Sequence, residues 1–391
     1  MTSTLITNIG QLVTNDPSHD GTKLGLIKEA ALLIEDGVIA WAGPNSQAPT
    51  KHIKTSIDAE GMCVLPGYVD SHTHMIFAGD RSNEFRARML GESYTAGGIA
   101  STVEKTRKAS DELLLAHAKF LAAEAHSGGT TTLEIKSGYG LSVHDERRCL
   151  EIASQITDET TFLGAHVVPV EYKDSPKDYV DLVCGEMLEA SAPYAKWIDV
   201  FCDKGAFAVD DARRILKAGI ALGLLPRIHA NQLQEGQGVM LGVELDAASV
   251  DHVSHLSEAD IEALSTSKTV ATLLPGAEFS TRSAYPDVRP LLEASITVAL
   301  ASDCNPGSSY TTSMAFIIAM AVREMHFSPE QAVWSATMGG AKALRRDDIG
   351  QLVEGARADF QILNAPSYIH LAYRPGVNLV EQVWHNGLQL I

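Results

Sequence analysis

Val69-Asp70-Ser71-His72-Thr73-His74, which follows the apolar pair Val64-Leu65 and the Pro66-Gly67 break, is the stretch from which the rest of the chain is read. Side chains alternate faces along a strand, so His72 and His74 point the same way and Thr73 points away. Two imidazoles side by side make half of a metal site, since zinc or iron takes neutral imidazole nitrogens at about 2.0–2.1 Å. Paired histidines are also poor packing residues for a barrel interior. The competing reading is a chance pair on a solvated strand, because a two-histidine pattern is short. The remainder of the chain decides between them.

Downstream, short apolar runs alternate with longer helical patterns, the arrangement of βα units around a parallel sheet. The candidate strands are 67–74, 130–136, 161–167, 197–202, 226–230, 248–253, 269–274 and 296–303, with helical spacing at 112–125, 145–155, 179–190, 210–222 and 290–294. Eight such units in about 240 residues predict a (β/α)8 TIM-like barrel, whose chemistry sits at the C-terminal ends of its strands. Five of the eight runs close on a group able to bind metal or move protons: His72 with His74, His166, His229, His252 and Asp303. Barrel closure brings these ends onto one rim, which favours the metal reading. The remaining histidines, including His19, His52, His117, His126, His144, His255, His326, His370 and His385, read as structural, and Gly97-Gly98 as a loop over the rim.

Both chain ends read as β-structure. Asp36-Gly37 interrupts the run 31–41 and Asn386-Gly387 the run 379–390, and such dipeptides between apolar runs signal type I′ hairpins. The expected organisation is residues 1–63 and 346–391 as two parts of one small β-sandwich side domain, with the barrel at 64–345 between them.

With 31 basic and 49 acidic side chains the formal net charge is −18, a field that repels phosphate backbones and anionic lipid, so nucleic acid and membrane partners are not expected. An anionic substrate would need its own cation in the pocket. The five cysteines, Cys63, Cys149, Cys184, Cys202 and Cys304, show no C-x-x-C spacing and read as free thiols of a reducing compartment. Met1-Thr2-Ser3-Thr4 lacks the basic start of a signal peptide, and the apolar run 314–322 is too short to span a bilayer, so the expected location is cytoplasmic.

A His-x-His on the first strand, single histidines ending the fifth and sixth, and an aspartate ending the eighth resemble the amidohydrolase superfamily. Within it the chain resembles the imidazolonepropionase family of histidine degradation, through His72-Thr73-His74-Met75-Ile76-Phe77-Ala78-Gly79-Asp80-Arg81, Glu134-Ile135-Lys136-Ser137-Gly138-Tyr139-Gly140, Phe162-Leu163-Gly164-Ala165-His166 and Asp303-Cys304-Asn305-Pro306-Gly307-Ser308. The resemblance implies hydrolysis of the cyclic amide C–N bond of 4-imidazolone-5-propanoate to N-formimidoyl-L-glutamate by a metal-bound hydroxide, and a homodimer. It implies that His72, His74, His229 and Asp303 hold one zinc or iron(III) ion per chain. It further implies that Arg81, Tyr139, His166, Asn305, Gly307 and Ser308 contact substrate or product. Arg81 suits this on its own chemistry, since its planar fork matches a propionate carboxylate; its alternative is a surface ion pair with Glu84. The alternative for Tyr139 is simple packing on the rim.

One departure stands out: where the family commonly has His-Ala-Asp-Glu, this chain has His229-Ala230-Asn231-Gln232. A glutamine can hydrogen-bond the ring but cannot accept a proton. Metal coordination lowers the pKa of water from about 15.7 to about 7, on the order of 12 kcal/mol, against roughly 3–5 kcal/mol for one general base. The expected roles are therefore proton transfer by Asp303, polarisation of the carbonyl by His252, and orientation of the ring by Gln232. A second metal would need a modified lysine near the fourth strand end, where Lys204 is the one candidate. Competing functions are another cyclic amidohydrolase or a nucleobase aminohydrolase, for which Arg81 would have no carboxylate, and a non-catalytic barrel scaffold, which should have lost ligands.

Overall fold

The computed structural model describes residues 3–51, 53–91 and 98–391. Met1, Thr2, His52 and Gly97, on which parts of the readings above rest, lie outside the described residues.

Two sheets organise the chain. The strands of the first are β1 (Ser3–Val13), β2 (Leu26–Glu35), β3 (Val38–Pro44), β4 (Thr55–Asp58) and β5 (Cys63–Pro66). The barrel strands are β6 (Tyr68–Asp70), β7 (Thr130–Lys136), β8 (Glu159–Ala165), β9 (Trp197–Cys202), β10 (Leu225–Pro226), β11 (Ile228–Ala230), β12 (Ser249–His252), β13 (Val270–Leu273) and β14 (Val298–Leu300). Three more strands, β15 (Phe360–Leu363), β16 (Val380–His385) and β17 (Leu388–Gln389), return to the first sheet.

That sheet runs β17-β16-β15-β5-β1-β2-β3, with β4 beside β1. The expected turns form: Asp36 and Gly37 have φ of 47° and 87°, Asn386 and Gly387 of 50° and 72°, the paired left-handed residues of a type I′ hairpin. The two chain ends meet where β15 pairs antiparallel with β5, Phe360 opposite Pro66. Alternation along β2 sends Leu32 and Ile34, and β1, whose register shifts between Ile6 and Ile9, sends Ile6, Ile9 and Leu12, into a core with Val64, Phe360, Ile362 and Trp384. Leu5 and Leu33, one residue out of phase, join Ala31 in a smaller cluster packed by Trp41.

The second sheet is a nearly closed barrel of eight parallel strands in the order β6-β7-β8-β9-β11-β12-β13-β14, with β10 beside β9. β7 and β9 occupy the residues expected, whereas β6 and β14 are shorter than 67–74 and 296–303. The segments beyond their ends form the closing seam: the Asp303 amide donates to the His72 carbonyl at 3.0 Å and the His74 amide to the Cys304 carbonyl at 2.9 Å. The helical pattern at 179–190 is a helix over Pro176–Leu182 and Leu188–Ser191 joined by a wider turn at Val183–Met187, where Gly185 has non-helical φ −112° and ψ −110°.

Contacts group residues 1–71, 123–132 and 313–391 into one compact unit and residues 72–122 and 133–312 into another. Every candidate site residue belongs to the second. Among the described residues no helix is long and apolar enough to cross a membrane.

In the first unit the Phe360 and Trp384 rings stack with centroids 5.4 Å apart and planes 10° apart. Deleting a buried aromatic costs about 3–5 kcal/mol, so Phe360→Ala should lower unfolding free energy by that amount in a denaturant titration. A loss under about 1 kcal/mol would show that this pair does not anchor the returning strands.

Candidate active site

Four donor atoms converge on the rim of the barrel. His72 Nε2 lies 3.2 Å from His74 Nε2, and His229 Nε2 lies 3.4 Å from His74 Nε2. Asp303 Oδ1 stands 3.7 Å from His72 Nε2 and 3.6 Å from His74 Nε2. His252 shares a second ligand-sized cluster with His72 and His229. His252 and Asp303 sit at the strand ends in left-handed backbone, with φ of 74° and 53°. Non-glycine residues rarely adopt this conformation and it concentrates at functional sites.

Beneath this cluster lies a layer of buried charge that sequence reading missed. The Asp251 carboxylate is 2.7 Å from His72 Nδ1, and Asp199 is 3.0 Å from His229 Nδ1. Lys136, fully buried, places its ammonium 2.8 Å from Glu134 and 2.9 Å from Asp199, while Arg227 lies 3.3 Å from Asp251. Glu134 also accepts from the Thr73 amide at 3.1 Å, tying the layer to the paired histidines. The available signal was charge inside strands, as in Leu133-Glu134-Ile135-Lys136 and Ile198-Asp199-Val200, where only an inward-facing ionic cluster makes such residues tolerable.

The donor set fits a metal ion of zinc size. With Nδ1 of His72 hydrogen-bonded to Asp251 and Nδ1 of His229 3.0 Å from Asp199, a proton on each Nδ1 leaves the Nε2 of these two rings as a lone pair. Those lone pairs share one space with His74 Nε2, 3.2 and 3.4 Å away, where a single cation would join all three. A tetrahedron with vertices about 2.1 Å from its centre has edges of about 3.4 Å, close to the separations seen. Burial, reinforced by neighbouring charges, pushes His72, His74 and His252 well below their ordinary pKa, keeping the imidazoles in the neutral, ligating form. Burial drives the Asp303 carboxyl the other way, well above the usual range. Burial also pushes Asp199 up, but His229 and Lys136 outweigh it and hold that carboxylate well below the usual range.

A cleft of about 350 Å³ opens over the cluster, lined by residues that include Arg81, Tyr139, His166, Gln232, Asn305 and Ser308. Arg81 is buried, with Nε 3.0 Å and Nη2 2.7 Å from Glu84, so it both lines the cleft and makes the ion pair read as its alternative. A Cβ on Gly307 or on Gly98 would collide with the Arg81 guanidinium. Gly307 therefore shapes the wall holding that side chain. His166 donates through Nδ1–H to the Gly138 carbonyl at 2.9 Å, and burial, with His229, pushes its pKa down to about 4. Asn305 is largely spent within its own turn: its Oδ1 accepts from the Gly307 and Ser308 amides, both at 2.8 Å. Ser308 Oγ reaches Asp303 Oδ2 at 3.4 Å. The Gln232 amide donates to Asp203 at 2.7 Å, which leaves its side chain to face the cleft. Lys204 is exposed, in a turn after β9. Ile99 and Phe201 complete an apolar wall for which the sequence held no distinctive pattern.

An amidohydrolase family model matches residues 228–387. A protein of Mycolicibacterium smegmatis named imidazolonepropionase is 62% identical over 387 residues, covering 99% of this chain and 97% of its own length. One of the same name from Salinispora arenicola is 63% identical over 390 residues, covering 99% of each chain. Among solved structures, an atrazine chlorohydrolase from Arthrobacter aurescens TC1 complexed with zinc superposes with TM-score 0.73 at 16% identity, covering 99% of this chain and 95% of that one. A guanine deaminase from C. acetobutylicum with bound guanine gives 0.73 at 15%, covering 100% of both. At such identities these structures speak to the fold alone.

One buried acid near the rim makes a pH prediction. Glu278 accepts from Ser254 Oγ at 2.6 Å, and burial pushes its carboxyl up from 4.5 to about 7. The unfolded chain ionises first, so the native state loses stability as pH rises from about 4.5 to about 7 and loses no more above that, about 3 kcal/mol in total. Glu278→Gln should remove this dependence: denaturant titrations should put the variant level with the wild type near pH 4.5 and progressively above it up to pH 7. Parallel curves would show that the carboxyl titrates normally.

Proposed function

This chain belongs to the imidazolonepropionase family of amidohydrolases, and on that footing we propose how its residues divide the work. The enzyme hydrolyses the cyclic amide C–N bond of 4-imidazolone-5-propanoate, giving N-formimidoyl-L-glutamate in histidine degradation. The observation that carries the assignment of roles is the convergence of His72, His74, His229 and Asp303 in a cleft that Arg81 also lines.

His72, His74, His229 and Asp303 would hold a single zinc or iron(III) ion, with Asp251 and Asp199 fixing the tautomers of two of the three histidines. Such an ion supplies Lewis acidity that brings the pKa of water from about 15.7 to about 7. A separate modified lysine is not needed: Lys136 is committed to Glu134 and Asp199, and Lys204 stands in solvent.

Arg81 takes the propionate carboxylate. Glu84 holds two of its nitrogens and turns the plane of the fork, and its position inside the cleft wall supplies the local cation that an acidic protein needs for an anionic ligand. Tyr139, His166, Gln232 and Ser308 surround the ring, and Asn305 acts chiefly by shaping the turn that carries Gly307 and Ser308. Gln232, with an amide in place of a carboxylate, orients the ring and carries no proton. Proton transfer falls to Asp303: it accepts the proton lost by the attacking water and delivers it to the ring nitrogen as the C–N bond breaks. His252 hydrogen-bonds the carbonyl oxygen as negative charge grows on it. The five free cysteines support a cytoplasmic location.

Two substitutions test the division. Arg81→Met should raise KM for 4-imidazolone-5-propanoate by about 10²-fold, as expected for loss of a buried charge-assisted pair; an unchanged KM would remove Arg81 from the carboxylate site. Asp303→Asn should lower kcat by at least about 10²–10⁴-fold, the usual worth of a general acid–base. Near-normal turnover with metal still bound would assign the proton to another group.

A further inference from the structure

The turn that carries Tyr139 into the cleft is gripped from both sides by charged groups outside the cleft lining. On one side lies Glu146, fully buried in the helix Val143–Ala153. Its Oε1 accepts from the Gly140 and Leu141 amides, both at 2.8 Å, and its two oxygens stand 3.2 and 3.1 Å from the Gly138 amide nitrogen. On the other side lies Arg107, from the helix Ile99–Lys108. Its Nε donates to the Gly140 carbonyl at 2.6 Å and its Nη2 to the Leu141 carbonyl at 2.9 Å, while Nη1 lies 2.8 Å from Glu171.

Three amides of the turn, those of Gly138, Gly140 and Leu141, are thus satisfied by a carboxylate, and two of its carbonyls, those of Gly140 and Leu141, by a guanidinium, instead of by a strand or helix. The backbone they hold is not one the sequence would choose unaided. Gly138 has φ of 107°, and Leu141 has φ of 49°, an unfavourable region for a residue with a Cβ. A conformation of that kind persists only where its surroundings impose it. The same turn reaches a second cleft residue, because the Gly138 carbonyl faces His166 Nδ1 at 2.9 Å. A hydrogen on Nδ1 then leaves Nε2 of His166 as the acceptor.

We propose that Arg107 and Glu146 are positioning residues for the reaction: by clamping the turn 138–141, Glu146 through its amides and Arg107 through the Gly140 and Leu141 carbonyls, they fix the point at which the Tyr139 hydroxyl enters the cleft. This rests on Tyr139 contacting the substrate, as assigned above. Neither residue touches the reacting atoms. Arg107 is partly exposed and lies on the outer side of the turn, so its removal leaves the barrel core intact.

Steady-state kinetics on the metal-loaded enzyme with 4-imidazolone-5-propanoate test the clamp through a double-mutant cycle of Arg107→Met with Tyr139→Phe. Glu146→Gln serves as a second, isosteric probe, and circular dichroism checks the fold of each. Arg107→Met is expected to raise KM about tenfold and change kcat less than about twofold, and in the Tyr139→Phe background to add less than about twofold, the non-additivity of residues acting through one group. An unchanged KM in Arg107→Met, or a full tenfold effect on top of Tyr139→Phe, overturns the clamp while leaving the role of Tyr139 in place. A normal KM in Tyr139→Phe itself overturns the clamp by removing the substrate contact on which it rests.

Discussion

Everything at the rim depends on a crowding that folding creates: the Nε2 atoms of His72 and His229 brought within 3.2–3.4 Å of His74 Nε2 in a buried site. The chain holds them there from below. Asp251 and Asp199 each face one Nδ1, and Lys136 and Arg227 balance those carboxylates and that of Glu134. Three acidic and two basic side chains leave the layer one negative charge in excess, directed at the histidines. Buried ion clusters are weak sources of stability, but this one fixes ring orientation and tautomer, which no apolar packing could do. The barrel thereby supplies a strongly attracting site for a small cation without spending an extra ligand.

Binding of the substrate acid, in the role proposed for Arg81, is a second electrostatic problem within the same cleft. A net charge of −18 works against any anion approaching the molecule. The answer is one guanidinium taken out of solvent, paired to Glu84 along one edge and housed between two residues, Gly98 and Gly307, that have no side chain to obstruct it. The carboxylate partner lowers the field of Arg81 but removes its rotational freedom, and a rigid fork is worth more to a planar ligand than a stronger but mobile charge.

Much of this was legible in the sequence because two periodicities are simple. Strand alternation and the βα rhythm located β7 and β9 to the residue and placed His72, His74, His166, His229, His252 and Asp303 at strand ends that the barrel then gathers. The dipeptides Asp36-Gly37 and Asn386-Gly387 gave both hairpins through their need for left-handed backbone. What escaped was whatever depends on partners far apart in sequence. Lys136 has no visible partner in its own stretch beyond Glu134, and its role emerges only when Asp199, on another strand, is beside it. Arg81 presented two readings as rivals, substrate ligand or partner of Glu84, and the geometry makes them compatible. Asn305 matched a family motif, yet its side chain is bound to its own loop.

The closing seam joins these strands. Asp303 and His74 are linked to His72 and Cys304 by backbone hydrogen bonds as well as by the donor cluster they form. Ring closure and ligand assembly are therefore one event. During synthesis a growing chain can present the paired histidines early, yet it stays a three-donor site at best until residue 303 has left the ribosome and found the opposite edge. A cation met before then would find no finished cage, so any metal would be loaded only once residue 303 has joined the seam.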